Sequence, residues 1–279
     1  MADSCPIDVG LGKWIDLGRE LTRDFQAKTR EKPEYALLTA SLHKNVEFNH
    51  AQKFVNKLAE LNSRELRDRD KVFSVLAPEG LGCTYRKLNS KGKVTQYKTT
   101  GRCNYYNQAT DTVTKGMNRF VGVCGEDGKL CLGEPNRSML KPELSEKKPK
   151  IGFADKTADL ALEYLGDDSA VCVDRHVMRY ACLMGVAKEH PELGNICDQP
   201  LEKIEYPHKK KDYQNVRAFL QKKAINCRLK PIDVQVAAWL KHACEGKSKP
   251  DEIVLDEDHR YSCRLRETGV SGEPITAWM

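Results

Sequence analysis

One stretch, residues 149–180, constrains the fold of this chain more than any other. Gly152 predicts a tight turn, because glycine adopts backbone conformations that residues with a Cβ resist. Apolar residues then recur at helical spacing and predict a helix that begins near Lys156 and stops at Gly166. A short apolar run follows, and Asp174 stands where the N-cap of a second helix belongs. The stretch therefore predicts a turn, a helix, a connection and a second helix.

Composition places this stretch in an ordinary soluble protein. The chain has 279 residues, enough for one large domain or two smaller lobes, with 40% hydrophobic and 31% charged residues. Its net charge of +6 is compatible with a nucleic-acid partner but does not require one. No apolar run approaches the roughly 20 residues of a membrane span, and the N-terminus lacks a signal-peptide pattern. We therefore expect an intracellular protein, cytoplasmic or nuclear if eukaryotic, with no membrane partner.

The 11 cysteines are scattered and include no Cys-x-x-Cys pair. Four lie within apolar helical patterns and are predicted to be buried thiols, which suits a reducing compartment: Cys172, Cys182, Cys227 and Cys244. Four others have the ligand type for zinc, but their spacing lacks the usual paired form: Cys83, Cys103, Cys124 and Cys131. We expect neither a metal nor another cofactor.

Composition and periodicity divide the chain into four parts. Residues 1–79 predict helices, and residues 149–245 contain the turn and helices described above. Between them, residues 80–148 are rich in Gly, Asn, Thr and Lys, and their helical periodicity fades. Residues 246–279 form a charged tail. We expect a mainly α protein with a basic, β-rich insert at residues 80–148.

Two β-hairpins are predicted in the insert. One turns about Gly92, and the other spans residues 120–132 with its turn between two glycines. Tyr105 and Tyr106 lie between the hairpins, among many lysines and arginines. Basic groups interleaved with tyrosines suit a surface that contacts DNA. The alternative is a solvated hairpin with the tyrosines packed beneath it.

The stretch at residues 149–180 resembles the helix-hairpin-helix DNA glycosylases, most closely the archaeal-type 8-oxoguanine DNA glycosylases. The hairpin of that family is roughly Gly-hydrophobic-Gly-x-Lys-x-Ala, and residues 152–158 match it except that Ala154 replaces the second glycine. An apolar helix, a glycine, an acidic pair and a hydrophobic-Asp-Arg-His segment follow in both. Lys156 and Asp174 are 174 − 156 = 18 residues apart, the spacing expected for this branch.

The resemblance implies a helix-hairpin-helix glycosylase core and a chemistry that suits these residue types. Such an enzyme flips a nucleotide out of the duplex and displaces its base from C1′. Lys156 would be the nucleophile, and Asp174 would stabilise the cationic sugar and move protons. Backbone amides of the hairpin would bind a DNA phosphate at a helix N-terminus, and the residues directly after Asp174 would make further contacts with DNA. The implied DNA-binding residues are Gly152, Phe153, Ala154, Arg175 and His176.

Two weaker likenesses nominate residues for a base pocket. Residues 34–42 resemble an early family helix with a Leu-Thr-Ala triplet, which nominates His43 and Phe48. Residues 229–241 resemble a late helix that ends in Asp-x-x-x-Trp. Trp239 fits that pattern, whereas Gln235 stands where the family has Asp. The alternative for the early helix is that its leucines are core and His43 is a surface or capping residue.

These observations predict a DNA glycosylase with β-lyase activity on abasic sites. It would excise an oxidised or otherwise modified base from double-stranded DNA as a monomer, through a Schiff base at Lys156. One alternative is a glycosylase for a different modified or hypermodified base, as in viral DNA. The other is a non-catalytic DNA-binding module, in which Lys156 is a solvated charge and Asp174 is only a helix cap.

Overall fold

The chain is mainly α-helical, as predicted. The structure, a computed structural model, describes residues 5, 8–42, 48–77, 101–145, 155–245, 252–255 and 261–264. The long helices are α1 (Asp8–Glu31), α2 (Glu34–Leu42), α3 (Phe48–Ala59), α4 (Arg69–Leu76), α5 (Gly101–Cys124), α6 (Asn136–Ser145), α7 (Asp155–Tyr164) and α8 (Arg175–Leu183). After the short helices α9 (Val186–Glu189) and α10 (Gly194–Cys197) come α11 (Lys210–Asn226) and α12 (Pro231–Glu245). In the tail, β1 (Glu252–Leu255) pairs antiparallel with β2 (Tyr261–Arg264).

The chain divides into two compact units that do not follow the order of the sequence. The first unit joins Met1–Ala27 to Gly166–Met279, and the second unit is the intervening Lys28–Leu165. In the second unit, every residue of α2 is buried, and α2 packs against α3, α5 and α7. In the first unit, α8, α11 and α12 pack together. Each unit thus has its own helical core.

Helix α5 corrects the predicted β-rich insert. Its buried apolar side chains recur every three or four residues, as in a helix that faces a core: Tyr106, Ala109, Val113, Met117, Phe120 and Cys124. The hydroxyls of Thr112 and Thr114 donate to the carbonyls of Gln108 and Thr110 one turn earlier, so these two threonines are satisfied within the helix. The predicted hairpin at residues 120–132 is therefore wrong. The segment about Gly92 lies outside the described residues.

The two tyrosines of this segment belong to the packing alternative. Tyr106 is 6% exposed, and its ring meets the edge of Phe54, with the ring centroids 5.9 Å apart. The Tyr105 hydroxyl donates to the carbonyl of Leu42 at 3.1 Å, which joins α5 to the end of α2. Both tyrosines thus hold helices of the second unit together.

Disulfides correct part of the cysteine prediction. Cys5 is bonded to Cys227 and Cys182 to Cys197 in the first unit, so Cys182 and Cys227 are not thiols. Cys124 is bonded to Cys131 in the second unit, which removes two of the four cysteines considered for zinc. Cys172 is a buried thiol, as predicted. The side chain of Cys244 lies outside the described part of the chain.

Candidate active site

Lys156 lies in the first turn of α7, where the sequence predicts it. The helix runs from Asp155 to Tyr164, and Lys156 is half-buried. Gly166 follows with φ of +93°, a left-handed conformation that favours glycine and ends the helix. The predicted start and stop of this helix are thus both confirmed.

Helix α7 buries two carboxylates on the face that carries Lys156. Asp159 is 0% exposed and Glu163 is 1% exposed, and residues three and seven positions after Lys156 share its side of a helix. Lys141 of α6 lies 2.5 Å from Asp159 Oδ1, so the Asp159 charge is paired. The ion pair fixes α7, the helix that carries Lys156, to its neighbour α6.

Asp174 is the N-cap of α8. Its Oδ1 accepts hydrogen bonds from the backbone amides of His176 at 2.8 Å and Val177 at 2.9 Å. The cap fixes the direction of the half-buried carboxylate, and both bonds use Oδ1, which leaves Oδ2 outside the cap. A carboxylate held in this way can present its second oxygen to a reacting group.

Tyr213 holds the segment that leads into Asp174. Its phenol, 4% exposed on α11, donates to the carbonyl of Val171 at 3.2 Å and accepts from the amide of Val173 at 3.2 Å. Residues 170–173 are all buried and lie outside any helix or strand ahead of the cap. No local pattern of residues predicts this clamp, because Tyr213 lies 40 residues from Val173.

Lys156 belongs to the second unit and Asp174 to the first. At the start of α8, Arg175 is exposed and His176 is half-buried, both beside the capped carboxylate. Gly152, Phe153, Ala154 and His43 lie outside the described residues, and Phe48 is the first residue of α3.

The two pocket candidates on α12 lie on one face of that helix. Gln235 is 5% exposed and Trp239 is half-buried, one turn apart. The opposite face packs against α1, where a Cβ on Gly18 would lie 3.2 Å from the backbone nitrogen of Ala237. Arg19 of α1 also pairs with Asp233 at 3.0 Å. Helix α1 thus packs against one side of α12 and does not cover the face that carries Gln235.

A buried pair of rings between α8 and α12 was not predicted. The ring centroids of Tyr180 and His242 are 6.3 Å apart, and the residues are 3% and 8% exposed. Burial, and then the charges of Lys241, His176 and Arg179, lower the pKa of His242 to about 4, although Asp174 opposes this shift. His242 is therefore neutral at physiological pH. Its spacing from Trp239 was visible in the sequence, but its partner on α8 was not.

The described residues contain neither a candidate metal centre nor a candidate membrane span. Among the described residues, no group of three or more His, Cys, Asp or Glu side chains could hold a metal ion. Within the same part of the chain, no helix is both long and apolar enough to cross a bilayer.

Comparison with known proteins adds no relative. No protein-family model, curated protein or solved structure matches this chain.

Proposed function

We propose that this protein is a DNA glycosylase with β-lyase activity, built on a helix-hairpin-helix core. Its partner is double-stranded DNA that carries a modified base, with 8-oxoguanine and related lesions as the first substrates to test. The protein acts as a monomer. The observation that carries the proposal is the half-buried Asp174 carboxylate, held at the start of α8 by two backbone amides, 18 residues after the lysine in the first turn of α7.

The proposed reaction uses one amine and one carboxylate. Lys156 Nζ attacks C1′ of the extruded nucleotide as the C1′–N bond breaks, and the base leaves with that electron pair and takes up a proton. Asp174 stabilises the positive charge on the sugar and accepts the proton that the amine loses. Opening of the sugar ring gives a Schiff base between Lys156 and C1′. Loss of a C2′ proton then expels the 3′ phosphate.

Borohydride trapping tests this assignment, because borohydride reduces a Schiff base to a stable amine. The wild-type chain should become covalently linked to duplex DNA that contains a modified base or an abasic site. Lys156→Gln should abolish the linkage, because glutamine has no amine to form it. The matched control is Lys53→Gln, which removes an exposed lysine of the same unit and should trap like the wild type. Trapping by Lys156→Gln would contradict the assignment.

The rival hypothesis, a non-catalytic DNA-binding module, predicts a different experimental result. A non-catalytic domain would bind duplex DNA with strong salt dependence, since lysines and arginines displace counterions from phosphates. It would yield no free base and no abasic product from any duplex. Chromatographic analysis of bases released from a panel of DNAs distinguishes the two functions and identifies the excised base.

A further inference from the structure

Two buried polar atoms face the packing of α8 against α12 without a hydrogen-bond partner among the described residues. They are Oη of Tyr180 and Nε2 of His242. Both residues are more than nine-tenths buried, and their rings are tilted by 53° to one another. Buried polar groups are nearly always paired in native proteins, because an unpaired one loses its bonds to water. The two atoms therefore point to an occupant.

The chemistry of the pair favours a neutral polar occupant. A neutral imidazole can donate or accept at Nε2, and a phenol can do both at Oη. Burial raises the pKa of Tyr180 as it lowers that of His242, so both rings remain uncharged at neutral pH. A phosphate would be served better by the charged Arg175 and Lys241 outside the pair. The edge of a nucleobase, which carries donors and acceptors side by side, matches two neutral groups.

The position of the pair agrees with a base site. Gln235, Trp239 and His242 are separated by four and three residues, so they share one face of α12. An amide, an indole ring and an imidazole are thus aligned along that face. Asp174 lies close enough for its charge to act on His242. Tyr180 is also carried by α8, the helix that the proposed catalytic carboxylate caps.

We propose that Tyr180 and His242 form the polar end of a pocket in the first unit that binds the extruded base by its hydrogen-bonding edge. Trp239 supplies an aromatic surface beside it, and Gln235 a further amide. This inference rests on the proposed glycosylase function and assigns its specificity to two residues. It makes Tyr180 and His242 specificity-determining residues, distinct from the proposed nucleophile.

The test compares two reactions of the full-length protein. One is single-turnover release of a base from duplexes that each carry 8-oxoguanine, hypoxanthine, uracil or ethenoadenine. The other is borohydride trapping on a preformed abasic site, which has no base to recognise. Tyr180→Phe removes one oxygen, and His242→Leu removes the imidazole. Each should lower base release about 5- to 10-fold more than it lowers abasic-site trapping, the loss of about one hydrogen bond.

Two controls separate recognition from folding. Tyr180→Phe should leave Tm equal to or above that of the wild type, because the lost hydroxyl is buried without a protein partner among the described residues. His242→Gln, whose amide can bond where Nε2 does, should recover part of the release that His242→Leu loses. If the variants lower base release and abasic-site trapping equally, or lower neither, the inference is wrong. The two rings would then bind only ordered water. A wild-type chain that neither releases a base nor traps would instead overturn the proposed function.

Discussion

Asp174 Oδ1 accepts hydrogen bonds from the amides of His176 and Val177, and the same carboxylate is the proposed partner of Lys156. Its structural role and its proposed chemical role require different properties of the side chain. A helix cap needs one side-chain oxygen, which Asn supplies as well as Asp. Stabilisation of a cationic sugar needs a negative charge, which Asn lacks. Two substitutions at this position can therefore separate the roles.

We expect Asp174→Asn to keep the Tm of the wild type and to lower base release about 10²- to 10⁴-fold, the usual contribution of a positioned acid–base group. Asp174→Ala should lose the same activity and, in addition, about 1 kcal/mol of stability with its cap. Thermal unfolding and single-turnover base release measure the two effects. An Asn variant with wild-type release would show that Asp174 is a cap only.

The sequence predicted Lys156 and Asp174 in their places because both depend on local signals. A glycine, an apolar periodicity and a capping residue fix where α7 and α8 begin. Tyr180, Tyr213 and His242 have no such signal. Their roles arise only when α8 packs against α11 and α12. The apolar spacing of one helix does not indicate which other helix packs against it.

At the scale of helices, α1 and α12 approach closely at Gly18. A Cβ there would lie 3.2 Å from the nitrogen of Ala237 and 3.4 Å from Cγ1 of Val236. Backbone atoms of a packed helix cannot turn aside as a flexible side chain can. A larger residue at position 18 must therefore push the two helices apart.

Gly18→Leu should lower the free energy of unfolding by about 1–3 kcal/mol, the typical cost of overpacking a core. Gly12→Leu is the matched control in the same helix, because a Cβ on Gly12 would meet no heavy atom of the described residues within 4 Å. The control should gain up to about 1 kcal/mol, since leucine favours a helix more than glycine does. Urea titrations of both variants measure the difference; equal values would contradict the close packing at Gly18.

Two helices show why composition and apolar spacing alone mispredict secondary structure and burial. Thr, Asn and Gly residues of α5 suggested strands, yet the buried positions from Tyr106 to Cys124 keep helical spacing. Helix α7 was predicted from its apolar residues, but Asp159 and Glu163 are also buried. The burial of Asp159 depends on a charge supplied by another element, Lys141 on α6. The pairing of β1 with β2 in the charged tail was not predicted at all.

At the scale of the molecule, the Cys5–Cys227 disulfide joins residues 222 positions apart within the first unit. A cross-link over so long a loop restricts the unfolded chain strongly, by about 5 kcal/mol in the loop-entropy model. Disulfides are typical of oxidising compartments, and also of intracellular proteins from hyperthermophiles. The intracellular location stays a prediction, and the proposed activity should be tested under oxidising conditions that keep the disulfides of the described residues intact.

Cys5→Ser and Cys227→Ser should each lower the free energy of unfolding by up to about 5 kcal/mol under oxidising conditions. The double variant should lose no more than either single one, because all three lack the same bond. Guanidinium titrations with and without reductant provide the measurement. Additive losses would show that the two cysteines act separately.

The first unit is assembled from both ends of the chain, and this determines the order in which a ribosome can complete the two units. After Ala27, synthesis must continue for 165 − 27 = 138 residues before the rest of that unit begins to appear. At roughly 5–20 residues per second this takes about 7–30 s. During that interval Lys28–Leu165 can emerge whole, while Leu11, Trp14 and Ile15 of the nascent chain still lack the later segments of their unit. A chaperone that protects this protein during translation should therefore bind its first helix.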